Sequence, residues 1–333
     1  MVNYLARPWL ALPPSFAHKW GGKTLKFFST IYGRETPVWS PLEWKGLHFK
    51  NRLGTSGGVD KDCEQIVDWN FLGAGFIEVG TVTPRPQPGN GKPNIDRNIE
   101  KKAVWNRLGF PSKGLDQCLK NLKNAPVQKA PAPLFINIGK NATTAIEGAA
   151  NDYIECLQTL YPFADAFVIN VSSPNTPGLR NLLKADYLKS FLSPILNEMK
   201  MFENPKPLLL KLSPDMQDSE LAEALDTSLE LGIDGWILTN SSQGLREGLK
   251  FPEAGGISGE PLRMTSRSRL EFAIRHLGTR REGRLVISSG GIMNTEEIRK
   301  RLELGADLVQ VYSALIFEGP LFFQQVGRSF QKS

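Results

Sequence analysis

The stretch Phe167-Val-Ile-Asn-Val-Ser-Ser-Pro-Asn-Thr-Pro-Gly-Leu-Arg180 begins as an apolar, β-branched run and ends in serine, asparagine, proline and glycine. Its first half predicts a buried strand, which its second half cannot continue. In a barrel of parallel strands, active-site residues lie at the carboxyl end of each strand. Two asparagines and two serines there suit a planar polar ligand better than a metal ion. A Ser/Asn-rich turn after a core strand is the alternative for this segment taken alone.

The same unit recurs along the chain. Apolar strands are predicted near 53–57, 76–80, 134–138, 166–171, 207–212, 235–240, 285–290 and 308–312, with helical patterns between most of them. Eight strands that alternate with helices predict an α/β fold, a (β/α)8 TIM barrel. A doubly wound sheet is the alternative, but no GxGxxG follows the first strand. Residues 38–53 predict a hairpin at Lys45-Gly46, and segment 81–133 is long enough to pass over the barrel mouth.

Composition excludes several classes of protein. The chain has 333 residues, of which 41% are hydrophobic, so it can bury a full core. Its three cysteines and three histidines are scattered, which argues against a disulfide framework, a metal centre or a Ser-His-Asp hydrolase. The sequence contains no apolar run of about 18 residues, so it predicts no membrane span. No signal or transit segment is recognisable in it.

The first 33 residues differ from the rest, because they contain Arg7, Lys19, Lys23 and Lys26 and no acidic residue. We predict a two-helix N-terminal extension, with one helix near 3–12 and a second that begins near Ser15. The second helix either packs on the main body as an ordinary amphipathic helix or lies with its partner on a membrane surface. Four charges without a basic cluster argue against a nucleic-acid arm. Residues 1–36 therefore form the predicted extension and 37–333 the barrel.

Polar residues follow every predicted strand, at the end where such a barrel carries its site. They are Asp60 and Lys61, Thr81, Asn137 and Lys140, Asn170 and Ser173, Lys211, Thr239 to Ser241, Gly290 and Gly291, and Tyr312 and Ser313. The glycines after strand 7, the Tyr-Ser after strand 8 and a backbone nest at 255–259 predict a phosphate site. Lys61 and Lys211 predict an anionic ligand, or a cofactor that gains negative charge on reduction.

These residues lie in motifs that resemble the dihydroorotate dehydrogenases, in particular their membrane-associated, quinone-using class (class 2). The motifs include GVDKD at 58–62, EVGTVTPRPQPGN at 78–90, NRLGF at 106–110 and NVSSPNTPGLR at 170–180. Further matches are INIGKN at 136–141, GGISGEPL at 255–262 and GADLVQVYSALIFEGP at 305–320. The resemblance extends from about residue 3 to 330.

The resemblance implies FMN as the cofactor and dihydroorotate as the substrate. The implied FMN site comprises Gly57, Gly58, Val59, Asp60, Lys61, Thr81, Asn137, Asn170, Lys211, Thr239, Gly259, Gly291, Tyr312 and Ser313. The last four of these would hold the phosphate. The implied substrate site comprises Lys61, Asn106, Arg107, Leu108, Gly109, Phe110, Asn170, Asn175, Asn240 and Ser241. Asparagines suit a ring with amide donors and acceptors, and Lys61 suits its carboxylate.

Ser173 matches the catalytic base of the quinone class, where the soluble class has cysteine. It would remove the C5 proton while the C6 hydride passes to flavin N5, with Thr176 and Phe110 tied to its proton relay. A free serine is a poor base near neutral pH, so this step needs a desolvated hydrogen-bond relay. Lys211 would stabilise the reduced, anionic flavin.

The resemblance also gives the N-terminal helices a role, as an apolar tunnel from lipid to the flavin edge. His18 and Arg97 match the polar residues at the inner end of that tunnel. The implied partners are ubiquinone or menaquinone and, through residues 1–33, the membrane surface. The resemblance also implies that the protein is a monomer and binds peripherally to the cytoplasmic side of the inner membrane.

Four positions depart from the family pattern. Gly57 stands where alanine is commoner, Ser241 and Ser242 where threonines are usual, and Leu183 where glutamine is common. None removes a group that the mechanism needs. The alternatives are a soluble homologue that uses fumarate or NAD, and a non-redox phosphate-binding barrel or an inactive membrane-binding scaffold.

Overall fold

A closed barrel of eight parallel strands forms the centre of the computed structural model, which describes residues 7–125 and 131–332, except the side chains of 17–20 and 23. The barrel strands are β3 (Leu53–Asp60), β4 (Phe76–Val82), β7 (Leu134–Ile138), β8 (Ala166–Asn170), β9 (Leu208–Leu212), β10 (Gly235–Leu238), β12 (Leu285–Ser289) and β13 (Leu308–Val311). Each pairs in parallel with the next, and β13 closes on β3. The predicted (β/α)8 barrel is confirmed.

Helices cover the outside of the barrel and fill most of the connections. They are α2 (Ile66–Phe71), α3 (Leu115–Asn124), α4 (Ala149–Leu160), α5 (Ala185–Lys200), α6 (Asp218–Leu231), α7 (Arg263–Leu277), α8 (Thr295–Glu303), α9 (Ser313–Phe317) and α10 (Phe322–Gln331). Because helices pack on the outer face, most barrel strands are buried on both faces, and several of them are nearly continuous apolar runs. The β9 run Leu-Leu-Leu-Lys-Leu, buried throughout, is an example.

The amino end of the barrel is closed by the predicted hairpin. Strands β1 (Leu42–Trp44) and β2 (Leu47–Phe49) pair antiparallel around Lys45 and Gly46, both of which have positive φ. Phe49 lies in the interior cluster and meets Phe76 and Phe135 edge to face. An apolar plug therefore fills this end, which leaves the carboxyl end as the open one.

Aspartates at the start of three strands tie each strand to its neighbour. Their carboxylates accept hydrogen bonds from backbone N–H groups at the start of the preceding barrel strand, each at 2.8 Å: Asp165 from Leu134, Asp234 from Leu208 and Asp307 from Val286. Burial raises the pKa of Asp307. These contacts satisfy backbone donors where the barrel ladder begins.

The long segment after β4 passes over the open end, as predicted. Strands β5 (Ile95–Asn98) and β6 (Ala103–Asn106) form a hairpin, and β11 (Gly256–Gly259) pairs antiparallel with β6. The expectation of a backbone nest at 255–259 is wrong for most of that segment, because its residues belong to this three-stranded sheet. Asn106 and Gly259 from the sheet line the open end of the barrel.

The N-terminal region contains a 3-10 helix at Pro8–Ala11 and helix α1 (Pro14–Tyr32). Helix α1 packs against α2 and β5, and buries Leu25. Phe16, Phe27 and Ile31 on the same helix stay exposed. Of the predicted first helix, only residues 7–12 are described. Among the helices of the described chain, none is both long and apolar enough to cross a membrane.

Candidate active site

A cleft opens at the carboxyl ends of the barrel strands. Residues from seven of the eight strands or the loops after them line it, and the sheet of β5, β6 and β11 covers one side. It brings together most of the predicted site: Gly57, Gly58, Lys61, Thr81, Asn106, Leu108, Gly109, Phe110, Asn170, Ser173, Asn175, Lys211, Thr239, Asn240, Ser241, Gly259, Gly291, Tyr312 and Ser313.

Four of the predicted cofactor and substrate residues are not on the cleft wall. Arg107 precedes the cleft-lining Leu108, and Asn137 is fully buried beneath the wall. Val59 and Asp60 line a second cavity. The Asp60 carboxylate accepts hydrogen bonds from the backbone N–H groups of residues 64 and 65, at 2.9 and 2.8 Å. Burial nevertheless raises the pKa of Asp60 to about 6.

Neutral side chains at the ends of β4, β7 and β8 form one hydrogen-bonded array. Thr81 Oγ1 donates to Asn137 Oδ1 at 2.7 Å, and Asn170 Nδ2 donates to Thr81 Oγ1 at 2.9 Å. Asn170 Oδ1 accepts from the Ser172 hydroxyl at 3.1 Å. Asn240 Nδ2 donates to that hydroxyl at 3.0 Å. The array fixes the orientation of the amides, which therefore present defined donors and acceptors to the cleft.

Ser173 lies beside this array, buried at 5% exposure and facing the cleft. Its Oγ accepts a hydrogen bond from the backbone N–H of Asn175 at 3.2 Å. The Asn175 side chain donates to Asn106 Oδ1 at 2.8 Å. Its own Oδ1 is buried with no hydrogen-bond partner among the described residues. A ring N–H in the cleft would supply the missing donor.

Arg180 holds the loop that carries Ser173 to two neighbouring loops. Its guanidinium donates to the carbonyl oxygens of Ser172, at 3.0 Å, and Ser241, at 3.1 Å. It also forms an ion pair with Asp215 at 2.8 Å. The three loops after β8, β9 and β10 are thus tied together at the edge of the cleft.

A buried ion pair supports the floor of the cleft from below. Lys211 Nζ on β9 lies 2.9 Å from Glu78 Oε1 on β4. Gln310 on β13 donates to the other Glu78 oxygen. Glu78 and Gln310 are not among the site residues predicted from the sequence. Each is a polar residue within an apolar strand, where polar side chains are rare unless they are paired, and this feature could have identified them.

Lys61 lies where the cleft and the second cavity meet. It lines both spaces, and its Nζ donates to the carbonyl of Gly58 at 2.9 Å. Burial lowers the pKa of Lys61 to about 8, although Asp62 and Asp60 oppose the shift. The ammonium is therefore charged at neutral pH and loses its proton in the mildly alkaline range.

The second cavity runs between the N-terminal region and the barrel. Apolar side chains dominate its lining, among them Trp9, Leu25, Phe28, Val59, Ile95 and Leu315. It shares Gly58, Lys61 and Tyr312 with the cleft. Arg97 lines it and donates to the carbonyls of Trp9, at 3.1 Å, and Leu10, at 2.9 Å. The side chain of His18, the other predicted tunnel residue, lies outside the described part of the structure.

Comparison with known proteins decides the family. The profile described as dihydroorotate dehydrogenase matches residues 42–333. The chain belongs to the dihydroorotate dehydrogenase family. Similar relatives named dihydroorotate dehydrogenase (quinone) occur in Thermus thermophilus and Escherichia fergusonii. The first is 42% identical, over 94% of this chain and 91% of the relative. The second is 38% identical, over 95% of each.

Solved structures in the same family have the same fold. The dihydroorotate dehydrogenase of Eimeria tenella in complex with ferulenol superimposes with a TM-score of 0.84 at 31% identity. The match covers 96% of this chain and 91% of that one. The ligand-free form from the same organism gives a TM-score of 0.83.

In this member of the dihydroorotate dehydrogenase family, a buried arginine supports the glycine loop after β12. Gly290 and Gly291 both have positive φ, and a methyl group on Gly291 would lie 2.2 Å from Arg263 Cα. Arg301 on α8 is fully buried and donates to the Gly290 carbonyl at 3.2 Å and to the Ser288 hydroxyl at 2.9 Å. Its Nε forms an ion pair with Glu297 at 2.6 Å. The backbone of the loop is therefore held from behind.

Replacing Arg301 by methionine is expected to reduce the free energy of unfolding by about 3–5 kcal/mol, because Glu297 is left buried with less compensation. Thermal unfolding followed by circular dichroism measures the loss. Lys300→Met changes an exposed residue of the same helix and should leave the melting temperature nearly unchanged. A similar melting temperature for both variants would show that the buried pair does not support the loop.

Proposed function

We propose that the protein oxidises dihydroorotate to orotate in pyrimidine biosynthesis and passes the electrons through FMN to a membrane quinone. Membership of the family and the names of the similar relatives support the reaction. The observation that carries the proposal is the pair of cavities that meet at Gly58, Lys61 and Tyr312. The cleft presents amides and hydroxyls that suit the substrate, and the second cavity has a mostly apolar lining that suits a quinone. A cofactor at their junction would serve both.

The residues of the cleft fit FMN. Gln310 Oε1 on the floor is buried without a hydrogen-bond partner among the described residues, and it would accept a ring N–H. The neighbouring Lys211 places an ammonium where a ring that gains electrons gains negative charge. The backbone at Gly259, Gly291, Tyr312 and Ser313 would hold the phosphate. When bound, FMN accepts a hydride and returns electrons to a second substrate.

Most of the proposed cofactor contacts line the cleft, and three of them also line the second cavity. Besides the four phosphate residues, the proposed contacts are Gly57, Gly58, Val59, Asp60, Lys61, Thr81, Asn137, Asn170, Lys211 and Thr239. Asn137 would act through Thr81 and Asn170, because its own side chain lies beneath the wall. Val59 and Asp60 would act through their backbone, since the Asp60 carboxylate is engaged by backbone N–H groups.

The substrate would lie on the amide array. Lys61 supplies a cation for the carboxylate, and Asn175 Oδ1 supplies an acceptor that has no described partner. The remaining proposed contacts are Asn106 to Phe110, Asn170, Asn240 and Ser241. Because the array fixes which amide atoms face the cleft, it selects a ring with donors and acceptors in matching places.

Ser173 is the proposed base that removes the C5 proton. Its hydroxyl is buried in the cleft and accepts a hydrogen bond from a backbone N–H, which favours negative charge on the oxygen. Thr176, also buried, and Phe110 are the proposed neighbours of its proton relay. Water exclusion by these residues would keep the serine effective at a pH far below its own pKa.

The N-terminal residues 1–36 would connect the site to the membrane. The exposed Phe16, Phe27 and Ile31 on α1 suit an interface with lipid, and the apolar cavity beneath them suits the quinone. Arg97 and His18 are the proposed polar contacts at its inner end, which would bind ubiquinone or menaquinone. We take the protein to be a monomer, peripheral on the cytoplasmic side of the inner membrane, with residues 37–333 forming the FMN-binding barrel.

Ser173→Ala is expected to slow the reduction of bound FMN by dihydroorotate by about 10²- to 10⁴-fold, because the general base is lost. Stopped-flow absorbance under anaerobic conditions measures this half-reaction. FMN content should stay at the wild-type level, since no cofactor contact is removed. Ser190→Ala, on the surface of α5, is the matched control. Reduction at nearly the wild-type rate would remove Ser173 from the role of base.

Dihydroorotate affinity is expected to fall as pH rises through about 8, where Lys61 loses its charge. The substrate carboxylate stays ionised throughout, so only the lysine changes. Measuring the Michaelis constant between pH 6.5 and 9 shows the dependence. Lys61→Arg keeps its charge over this range and should give a flatter profile than the wild type. Parallel profiles in the two proteins would contradict the role of Lys61.

Deletion of residues 1–33 is expected to abolish quinone reduction and vesicle binding while FMN stays reducible by dihydroorotate, because the apolar cavity loses one wall. An acceptor panel of ubiquinone, menaquinone, fumarate and NAD, with dihydroorotate as donor, compares the deletion with the full chain. The full chain should be yellow and use a quinone best. Full quinone reduction by the deletion variant would contradict the assignment of the second cavity as the quinone tunnel. Preference of the full chain for fumarate or NAD would contradict a quinone as the acceptor.

A further inference from the structure

Glu78 is a buried charged residue that the proposed reaction does not use. It lies in the middle of β4 with no exposed surface, directly beneath the floor of the cleft. A buried carboxylate is costly unless it is paired and hydrogen-bonded, so its presence needs a reason. Its contacts indicate one, because every described partner of its side chain belongs to the cleft floor or to the array around it.

Three side chains from three different strands converge on the Glu78 carboxylate. Lys211 Nζ and Asn137 Nδ2 donate to Oε1, at 2.9 and 2.5 Å, and Gln310 Nε2 donates to Oε2. Two of these partners, Lys211 and Gln310, line the cleft themselves. Glu78 therefore fixes the positions of the Lys211 ammonium and the Gln310 amide at the floor of the cleft.

The carboxylate also stands against the backbone of the cleft wall. A methyl group on Gly57 would lie 2.4 Å from Glu78 Oε1 and 2.8 Å from Asn137 Nδ2. Glycine at this position thus leaves room for the carboxylate beside a residue that lines the cleft. The negative charge lies one layer below any ring bound on the floor.

The charge balance of the floor follows from this pairing. Lys211 alone would favour a cofactor that becomes more negative on reduction, but Glu78 offsets its charge. Both groups are almost fully buried, with side-chain exposures of 4% and 0%, so solvent screens them little. The floor beneath the cleft is then close to neutral overall, although Lys211 supplies the nearer charge.

We propose that Glu78 is a positioning residue that sets the reduction potential of the cofactor, by offsetting the charge of Lys211 and fixing its ammonium. This inference rests on the proposed function, because it needs FMN in the cleft. It goes beyond that function in assigning the potential to a residue that touches neither substrate nor cofactor. A purely structural role for Glu78 would alter stability and leave the potential unchanged.

The test measures the reduction potential of FMN in the holoenzyme, by slow enzymatic reduction in equilibrium with a reference dye. Glu78→Gln removes one negative charge and keeps the side-chain shape. It is expected to shift the dye equilibrium about tenfold toward reduced cofactor, which corresponds to about 30 mV for a two-electron couple. Glu155→Gln removes a surface carboxylate and should give the wild-type potential.

A double variant separates charge from shape. Glu78→Gln combined with Lys211→Met leaves a floor with no net charge, as in the wild type, so its potential should return to within about threefold of the wild-type equilibrium. If the double variant kept the full shift of Glu78→Gln, Lys211 would not be the partner and the proposal would be overturned.

A second single variant covers the case in which Glu78→Gln does not fold. Glu78→Asp keeps both charges but draws the carboxylate away from Lys211, and it is expected to shift the dye equilibrium twofold to threefold in the same direction. A wild-type potential in folded Glu78→Gln, or in Glu78→Asp if the first variant is unfolded, overturns the proposal. A wild-type protein that holds no flavin would instead overturn the proposed function.

Discussion

Closure of the barrel is the constraint on which the rest of the structure depends. Once eight parallel strands close, all their carboxyl ends meet at one mouth, and the hairpin of β1 and β2 fills the opposite end with aromatic side chains. Polar side chains at the strand ends, most of them buried, then face one shared cleft. Each must find a partner there or keep one for a ligand, because an unpaired buried polar group is costly.

The polar groups meet this requirement in two ways. Thr81, Asn137 and Asn170 hydrogen-bond one another across strands, and the Ser172 hydroxyl links Asn240 to them, so the array is ordered before any ligand arrives. Asn175 and Gln310 each keep one buried oxygen without a described partner, and both oxygens belong to residues that line the cleft. Such a site orients a ligand with little loss of conformational entropy, because its own side chains are already ordered before binding.

Segments outside the barrel turn the mouth into a site with two sides. The sheet of β5, β6 and β11 covers the polar cleft, while α1 and the 3-10 helix at Pro8–Ala11 enclose the apolar cavity. Arg97, just after the middle of β5, hydrogen-bonds the backbone of the N-terminal region and so links the two covers. The same excursion of the chain therefore shapes both the donor side and the acceptor side of the proposed reaction.

The sequence alone determined the strand positions, the hairpin at Lys45-Gly46 and the polar strand ends such as Asn170 and Ser173. These features depend on local periodicity and on residues adjacent in the chain. Glu78, Gln310 and Arg301 became site residues only through the tertiary structure, since their partners lie up to 232 positions away along the chain. Local pattern also failed at 255–259, where pairing with a distant strand overrode the turn chemistry of the glycines. The meeting of the two cavities at Gly58, Lys61 and Tyr312 was likewise decided by the tertiary structure, because cavities arise from the packing of segments that no periodicity relates.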